Sequence, residues 1–445
     1  MADGQVALAP VAGKARIDVL DILRGIAILG IFFMNIPFMA AEISKLFVNV
    51  TAIGWTPMDQ FAWWGVHLFL EGTQRGLLEM LFGAGLMVFA AKAMTPDGPV
   101  AVADLYQRRN LWLIGFGLLD IFVLLWAGDI LHIYGLAALL LFPFRRLGPK
   151  WLLALGMGFA LFNLVSGGIQ YVKRVELVQQ VEAAQAKQAA NAPLSVSEKK
   201  TLEDWAKKVE RRRTGGPEMK QTAEMEKKGH SGGFIEYAQM NIGFFVGFVL
   251  SSLPSNVAEA FCMMLVGIAL WKWQVIQGGR SGRFYLVLMA ACYVSGITLR
   301  WIGGHEILDL TPAAKIHWAT AEFARMAMSV GHVALINLLV KGGAGRSLLA
   351  PFKAAGRMAF SLYFLQNALG MYILYAPWGP GLWARQGWAD MAGTALMVIA
   401  VQLVLANVWM RYFSCGPLEW AWRSLAYVKW QPFRKRPAAS EPIAA

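Results

Sequence analysis

Cysteine and histidine are scarce in this 445-residue chain, three of the one and six of the other, and charged residues make up only 16% of it. Cys262 and Cys292 fall inside apolar stretches and Cys415 stands alone, so neither a disulfide framework nor a metal-ligand spacing can be read from them. Strand-like alternation of polar and apolar residues is missing, which argues against a β-barrel. A cleavable leader is not expected either, because Phe38 and Met39 stand where small residues are needed before Ala40 or Ala41.

Apolar residues, by contrast, are 57% of the chain, far more than a soluble core of this length hides. A helix crosses a hydrocarbon layer of about 30 Å with roughly 20 such residues. About ten stretches qualify: near 20–40, 63–91, 110–127, 129–145, 151–172, 256–272, 284–303, 317–340, 356–377 and 393–412. The fold class this predicts is all-α, a polytopic membrane helix bundle.

Charge sets the orientation. With both termini cytoplasmic, the six inside segments carry 21 Lys or Arg, whereas the short outside loops hold only Lys45, Lys315 and Arg385. The net charge of +13 therefore reads as membrane topology, and nucleic acid is not an expected partner. Counting 234–253 as a further span would put Lys272, Arg280 and Arg283 outside; it reads as an interfacial or re-entrant helix, or an extension stopped at Pro254. Residues 173–233, with 13 basic and nine acidic residues, form a solvated insertion on the outer side. Val175–Ala190 is expected to be helical, and Ser197 or Thr201 to cap a second helix through Leu202, Trp205 and Val209. This hairpin is expected to pack on a neighbour or on a second protomer, as in a homodimer. The chain thus divides into a membrane half at 1–172, the insertion at 173–233, and a second membrane half at 234–445.

The first span drives Asp21 and Arg24 into its mouth and carries Asn35 further in. Charges at a bilayer boundary need partners or water, so they mark a candidate site. The run Arg16-Ile17-Asp18-Val19-Leu20-Asp21-Ile22-Leu23-Arg24-Gly25, the run Leu81-Phe82-Gly83-Ala84-Gly85, the Gly128-Asp129-Ile130-Leu131-His132-Ile133-Tyr134 segment, Gly356-Arg357-Met358 leading to Gln366, and Gly416-Pro417-Leu418-Glu419-Trp420 together resemble the YeiB family of bacterial inner-membrane proteins. The resemblance covers nearly all of the chain outside 173–233. It implies a multi-pass plasma-membrane protein, distantly similar by fold to transmembrane acyltransferases such as the enzyme that acetylates heparan glucosamine.

Membrane O-acyltransferases of bacterial polysaccharides carry an arginine and, after ten intervening residues, a histidine on the first helix. Here the same spacing runs from Arg24 to Asn35, on one helical face about 16 Å apart. Asparagine is no base, but it can donate a hydrogen bond to an oxyanion. The glucosamine-acetylating relatives also have asparagine there and place a histidine in the next loop, whereas residues 41–60 here contain none. The second span offers a histidine instead. His67, Glu71, Arg75 and Glu79 recur every four residues as a polar ladder, with His67 as base or proton relay, or all four as an ion-pair network that fixes packing.

Other polar groups point inward. Glu322, Arg325, Ser329 and His332 share one side of the eighth span; Asp129 and His132 stand at the start of the fourth, as ligand groups or as a helix cap. Asp120 reads as interfacial. Gln366 and Asn367 in the ninth span face a cavity or bond between helices. The Lys341-Gly342-Gly343-Ala344-Gly345-Arg346 stretch reads first as a flexible basic loop, with a weaker alternative as a cradle for the diphosphate of acyl-CoA, a possible co-substrate. The basic tail Arg423–Arg436, interleaved with Trp422, Tyr427 and Trp430, reads as an anchor on membrane lipids. No bound cofactor and no metal is expected.

Two functions fit. One is an integral membrane acyltransferase working from a cytoplasmic thioester to an acceptor reached from outside. The other is a non-catalytic carrier or receptor for a small anionic or lipid-linked molecule. In both readings Arg24 and Arg75 are expected to converge on one hydrated chamber.

Overall fold

Long apolar runs leave the backbone no hydrogen-bond partner but itself, and the chain is helical along most of its course. The computed structural model describes residues 17–90 and 100–435. Arg16 of the opening motif, Arg436 of the basic tail and the stretch ahead of Arg16 lie outside the described residues.

The first half comprises α1 (Asp18–Ala40), α2 (Ile43–Val48), α3 (Pro57–Phe69), α4 (Thr73–Ala90), α5 (Val100–Phe122), α6 (Leu131–Leu141) and α7 (Pro149–Ala189). Then come α8 (Val196–Thr214), α9 (Gly216–Ser231), α10 (Phe234–Lys272), α11 (Gly282–Leu308) and α12 (His317–Lys341). The chain closes with α13 (Gly343–Arg357), α14 (Ala359–Leu374), α15 (Trp388–Tyr412) and α16 (Pro417–Tyr427). Helices α1, α7, α10, α11, α12 and α15 are long and apolar enough to cross a bilayer. Of the other expected spans, the second is divided into α3 and α4, α6 and α14 are shorter, and α5 is 23 residues long but carries Asp104, Arg108, Arg109 and Asp120. Large apolar side chains on α7, α11 and α15 face outward: Phe162 is 67% exposed, Val294 69% and Val401 63%. Contiguous surfaces of this kind suit lipid and not water, so the chain is a membrane protein.

Both described ends of the chain lie at one end of the bundle, where Asp18 pairs with Lys353 at 2.6 Å and Arg24, Arg357 and Arg423 line one cavity. The C-terminal half of α7, with α8 and α9, makes the opposite, insertion end. Ser195, not Ser197 or Thr201, caps α8: its Oγ accepts from Glu198 N at 3.2 Å while Glu198 accepts from Ser195 N at 2.8 Å. The third insertion helix, α9, was not expected.

The segment 234–253 does not stop at Pro254. It continues as α10, passing through a π-helical stretch at Phe245–Val249 and holding Pro254 in its interior. Proline at 254 withholds the donor that the Leu250 carbonyl would otherwise meet, without ending the helix, and one turn earlier the hydroxyls of Ser251 and Ser252 donate back to the carbonyls of Gly247, Phe248 and Val249 at 2.9–3.2 Å. At the centre, α4 and α10 touch backbone to backbone. A β-carbon on Gly83 would strike the Met264 carbonyl, and one on Gly267 the Met80 carbonyl.

Candidate functional site

The polar ladder is not continuous, because the second span breaks between Phe69 and Thr73, with Gly72 at φ +66°. Arg300, an unforeseen cation in α11, bridges the break. Its Nη1 donates to the carbonyls of His67 (3.2 Å) and Leu68 (2.9 Å) and its Nη2 to that of Glu71, satisfying the open end of α3. His67 stacks on Trp63 with ring centroids 4.8 Å apart. Its Nδ1 contacts the Glu71 carboxylate and its Nε2 the Arg300 carbonyl at 3.0 Å. With both ring nitrogens engaged, His67 lacks the open nitrogen that a base requires.

Arg75 and Glu79, beyond the break, join a buried charge network with α10 and α12. Arg325 donates to Glu79 (2.9 Å) and to Glu259 (2.9 Å), and forks onto Glu322 through Nε (3.0 Å) and Nη2 (2.6 Å). Arg75 pairs with Glu259 and, at 3.5 Å, with Glu79. Two guanidinium groups thus serve three carboxylates, so pairing lowers the cost of burying these charges but leaves one carboxylate in excess. Ser329 remains with this group through Thr73 and Arg325 carbonyls, whereas His332 turns to Tyr293 of α11.

Arg24 and Arg75 do not share a chamber. Arg24 lines a cavity of about 250 Å³ at the terminal end, rimmed also by Arg109, Arg357 and Arg423 and apolar within. Arg24 bonds Asp21 at 3.0 Å, Arg357 donates to the Ser414 carbonyl at 2.8 Å, and Arg109 lies over the Trp422 and Phe89 rings. Arg75 lines a second cavity, of about 400 Å³, toward the insertion end, together with Asn35. Asn35 Nδ2 is buried there with no hydrogen-bond partner among the described residues, and the Arg75 side chain is one-third exposed. Ile130 lines both cavities. Tyr134 lines the first and donates to the carbonyl of Arg75, in the second, at 3.2 Å. These two residues of the α6 region form the partition.

Beside the partition lies a buried cluster. Asp129 Oδ2 accepts from the backbone N of His132 (3.0 Å) and contacts its Nδ1 (2.8 Å), so this carboxylate both caps α6 and orients the imidazole. His132 Nε2 has no hydrogen-bond partner among the described residues. Tyr363, which lines the first cavity, donates to Asp129 Oδ1 at 3.3 Å and accepts from Ile130 N at 3.2 Å. Asp120 is not interfacial: it is fully buried, faces Asp129 and accepts from Asn367 at 2.7 Å. Gln366 bonds between helices, to the Ile28 carbonyl (3.2 Å) and Gln402 (2.9 Å).

The glycine-rich stretch 341–346 is not a loop, since α13 begins at Gly343 and only Gly342 separates it from α12; it is not part of the arginine-rimmed cavity. Glu419 is, and its carboxylate accepts from Phe360 N (2.7 Å) and Ser361 Oγ (2.6 Å) at the start of α14. Over the second cavity, α9 supplies Glu226, which accepts from Ile43 N at 2.8 Å, and His230. Burial pushes the Glu226 carboxyl up to about 7 and the His230 imidazole down to about 4.

Comparison with known proteins finds similarity without an assigned activity. The family described as "Protein of unknown function (DUF418)" matches residues 270–429. The uncharacterized protein YxaH of Bacillus subtilis is 30% identical over 442 residues, covering 96% of this chain and 98% of its own length. An uncharacterized 39.9 kDa protein of Bacillus acidopullulyticus is 25% identical, over 94% of this chain and 96% of its own. The uncharacterized protein YeiB of Escherichia coli is 24% identical, over 91% and 95%.

Proposed function

The chain belongs to the YeiB/DUF418 family, and on that premise we propose that it is a membrane-embedded acyltransferase, taking an acyl group from a cytoplasmic thioester and passing it to an acceptor reached from outside. The observation that carries this reading is the pair of cavities set back to back across Ile130 and Tyr134, one rimmed by four arginines, with an oriented histidine beside the partition. Four guanidinium groups over an apolar shaft fit a thioester whose carrier bears phosphates, such as acyl-CoA: the phosphates meet the rim and the acyl arm enters the shaft.

The terminal end is then cytoplasmic, in a bacterial plasma membrane with ten crossings, in keeping with the basic residues at that end. In the reaction, the acceptor hydroxyl oxygen bonds to the acyl carbon and the carbon–sulfur bond breaks. The hydroxyl proton passes to His132 Nε2 and from there to the departing thiolate. Asp129 holds the imidazole, and Asn35 Nδ2 donates to the transient oxyanion.

The test is binding of labelled acetyl-CoA to purified protein, followed by transfer or hydrolysis. Binding that Arg109→Ala weakens is expected. No binding and no thioester cleavage, with Arg109→Ala equal to wild type, overturns the reading. A second reading, a proton-coupled carrier, is favoured by the Asp120 and Asp129 carboxylates facing each other between the cavities. It requires solute-driven proton movement in liposomes that Asp120→Asn abolishes.

A further inference from the structure

The insertion end carries a second basic surface that the two cavities do not use. A groove of about 490 Å³ runs between α7, α8 and the loop joining α11 to α12. Arg174, Lys208, Arg211, Arg212, Lys315 and His317 line it, and no carboxylate does. Two of the cations are paired, Arg211 with Glu218 (3.1 Å) and Lys315 with Asp309 (3.0 Å), and the His317 imidazole contacts Glu306 (3.0 Å). Arg174 and Arg212 are held by backbone carbonyls, of Pro312 at 2.6 Å and Ile307 at 3.2 Å, and Lys208 makes no ion pair among the described residues. Three positive charges therefore face the groove without an anion.

The groove also leads somewhere. Arg211, Arg212 and Phe47 line both it and an adjoining hollow of about 320 Å³, and Phe47 and Phe248 line both that hollow and the apolar cavity that holds Asn35 and Arg75. A cationic, water-facing surface is thus joined through two phenylalanines to an apolar chamber with polar groups at its far side. A molecule that satisfies both halves carries multiple negative charge at one end and a hydrocarbon chain at the other.

We infer that groove and chamber form one binding site for a phosphorylated amphiphile, its phosphate held by Arg174, Lys208 and Arg212 and its chain lying past Phe47. Naming this molecule as the acyl acceptor rests on the proposed function. The site itself does not, and it is tested without any acyl donor.

The full chain in non-ionic detergent is titrated with dioctanoyl phosphatidic acid, with dioctanoylglycerol and with inorganic phosphate. Expected is saturable binding of the phosphatidic acid, at least roughly tenfold tighter than either other probe, which is the factor that one further good contact supplies. Lys208→Gln, which disturbs no ion pair, should weaken phosphatidic acid but not dioctanoylglycerol, and Phe47→Trp should weaken phosphatidic acid but not phosphate. Equal affinity for phosphatidic acid and dioctanoylglycerol shows that the cations are not used, and equal affinity for phosphatidic acid and phosphate shows that the chamber is not. Either result overturns the proposal, as does unchanged binding in Lys208→Gln. Failure of acetyl-CoA to bind would overturn the transferase reading and leave this site standing.

Discussion

The imidazole of His230 lies flat on the indole of Trp383, ring centroids 3.8 Å apart and planes within 8° of parallel. The contact fastens α9 over the second cavity, and on the same helix Glu226 caps α2. Both groups titrate away from their ordinary values, in opposite senses.

Docking of α9 therefore has a composite pH dependence. Glu226 holds its proton more tightly when docked, about 7 against an ordinary 4.5, so its contribution is complete below 4.5 and lost as pH rises through 7. His230, at about 4 against 6.5, contributes fully above 6.5 and loses that contribution as pH falls through 4. The two oppose each other over most of the acid range. In Glu226→Gln only His230 remains, and amide protection factors across 216–231, which correct for the intrinsic pH dependence of exchange, should rise steadily from pH 4 to 6.5. Above 6.5 the variant should be flat while wild type loosens. A variant that still loosens near pH 7 shows that another group governs the lid.

The arginine rim should act on donor binding and leave the fold intact. Arg109 lies over the Phe89 and Trp422 rings, hydrogen-bonds Tyr427 and pairs with no carboxylate among the described residues, so Arg109→Ala should raise the dissociation constant for acetyl-CoA by about tenfold, the loss of one charge-assisted contact, with little change in thermal unfolding. A large fall in melting temperature would instead mark Arg109 as a packing residue.

Arg325 should behave in the opposite way. It serves three carboxylates, of Glu79, Glu259 and Glu322, and Arg325→Ala leaves them under-compensated in the interior at a cost of about 3–5 kcal/mol. Thermal unfolding in detergent reads this directly. Glu322→Gln, which removes one carboxylate and leaves two on Arg325, should cost far less.

Asp129→Asn preserves shape while withdrawing the carboxylate from His132 Nδ1. Under the transferase reading it should lower the transfer rate by roughly 10²-fold or more while acetyl-CoA still binds. Equal losses of rate and binding would assign Asp129 to capping α6 alone.

Much of this architecture was legible because charge inside an apolar run is conspicuous. Arg24 and Asn35, read as one face of the first helix, do reach cavities, but one cavity each, since Ile130 and Tyr134 come between. Periodicity placed His67, Glu71, Arg75 and Glu79 in line; it carries no information about a break at Gly72, which depends on Arg300 arriving from α11. Glu259 and Arg300 were visible by the same rule that marked Glu322 and Arg325, each being a lone charge in an apolar span, and went unremarked. Glu226 and His230 had no such signal, because in a segment as polar as 173–233 one more charged residue stands out from nothing. Pro254 misled for a related reason: inside a long continuous helix a proline gives up one backbone hydrogen bond without ending it, whereas in sequence Pro254 with Ser251 and Ser252 before it looks like an ordinary turn.

Gly83 and Gly267 each sit against the main chain of the other's helix, so the α4–α10 crossing has no side chains to slide over one another. That joint is a stator. Any rearrangement that opens a passage between the cavities must swing other parts about it, and α6 is the natural rotor, because its Ile130 and Tyr134 are the barrier itself. A covalent cross-link tying α4 to α10 should thus be silent, whereas one tying α6 to Tyr363 of α14 should hold the passage between the cavities shut.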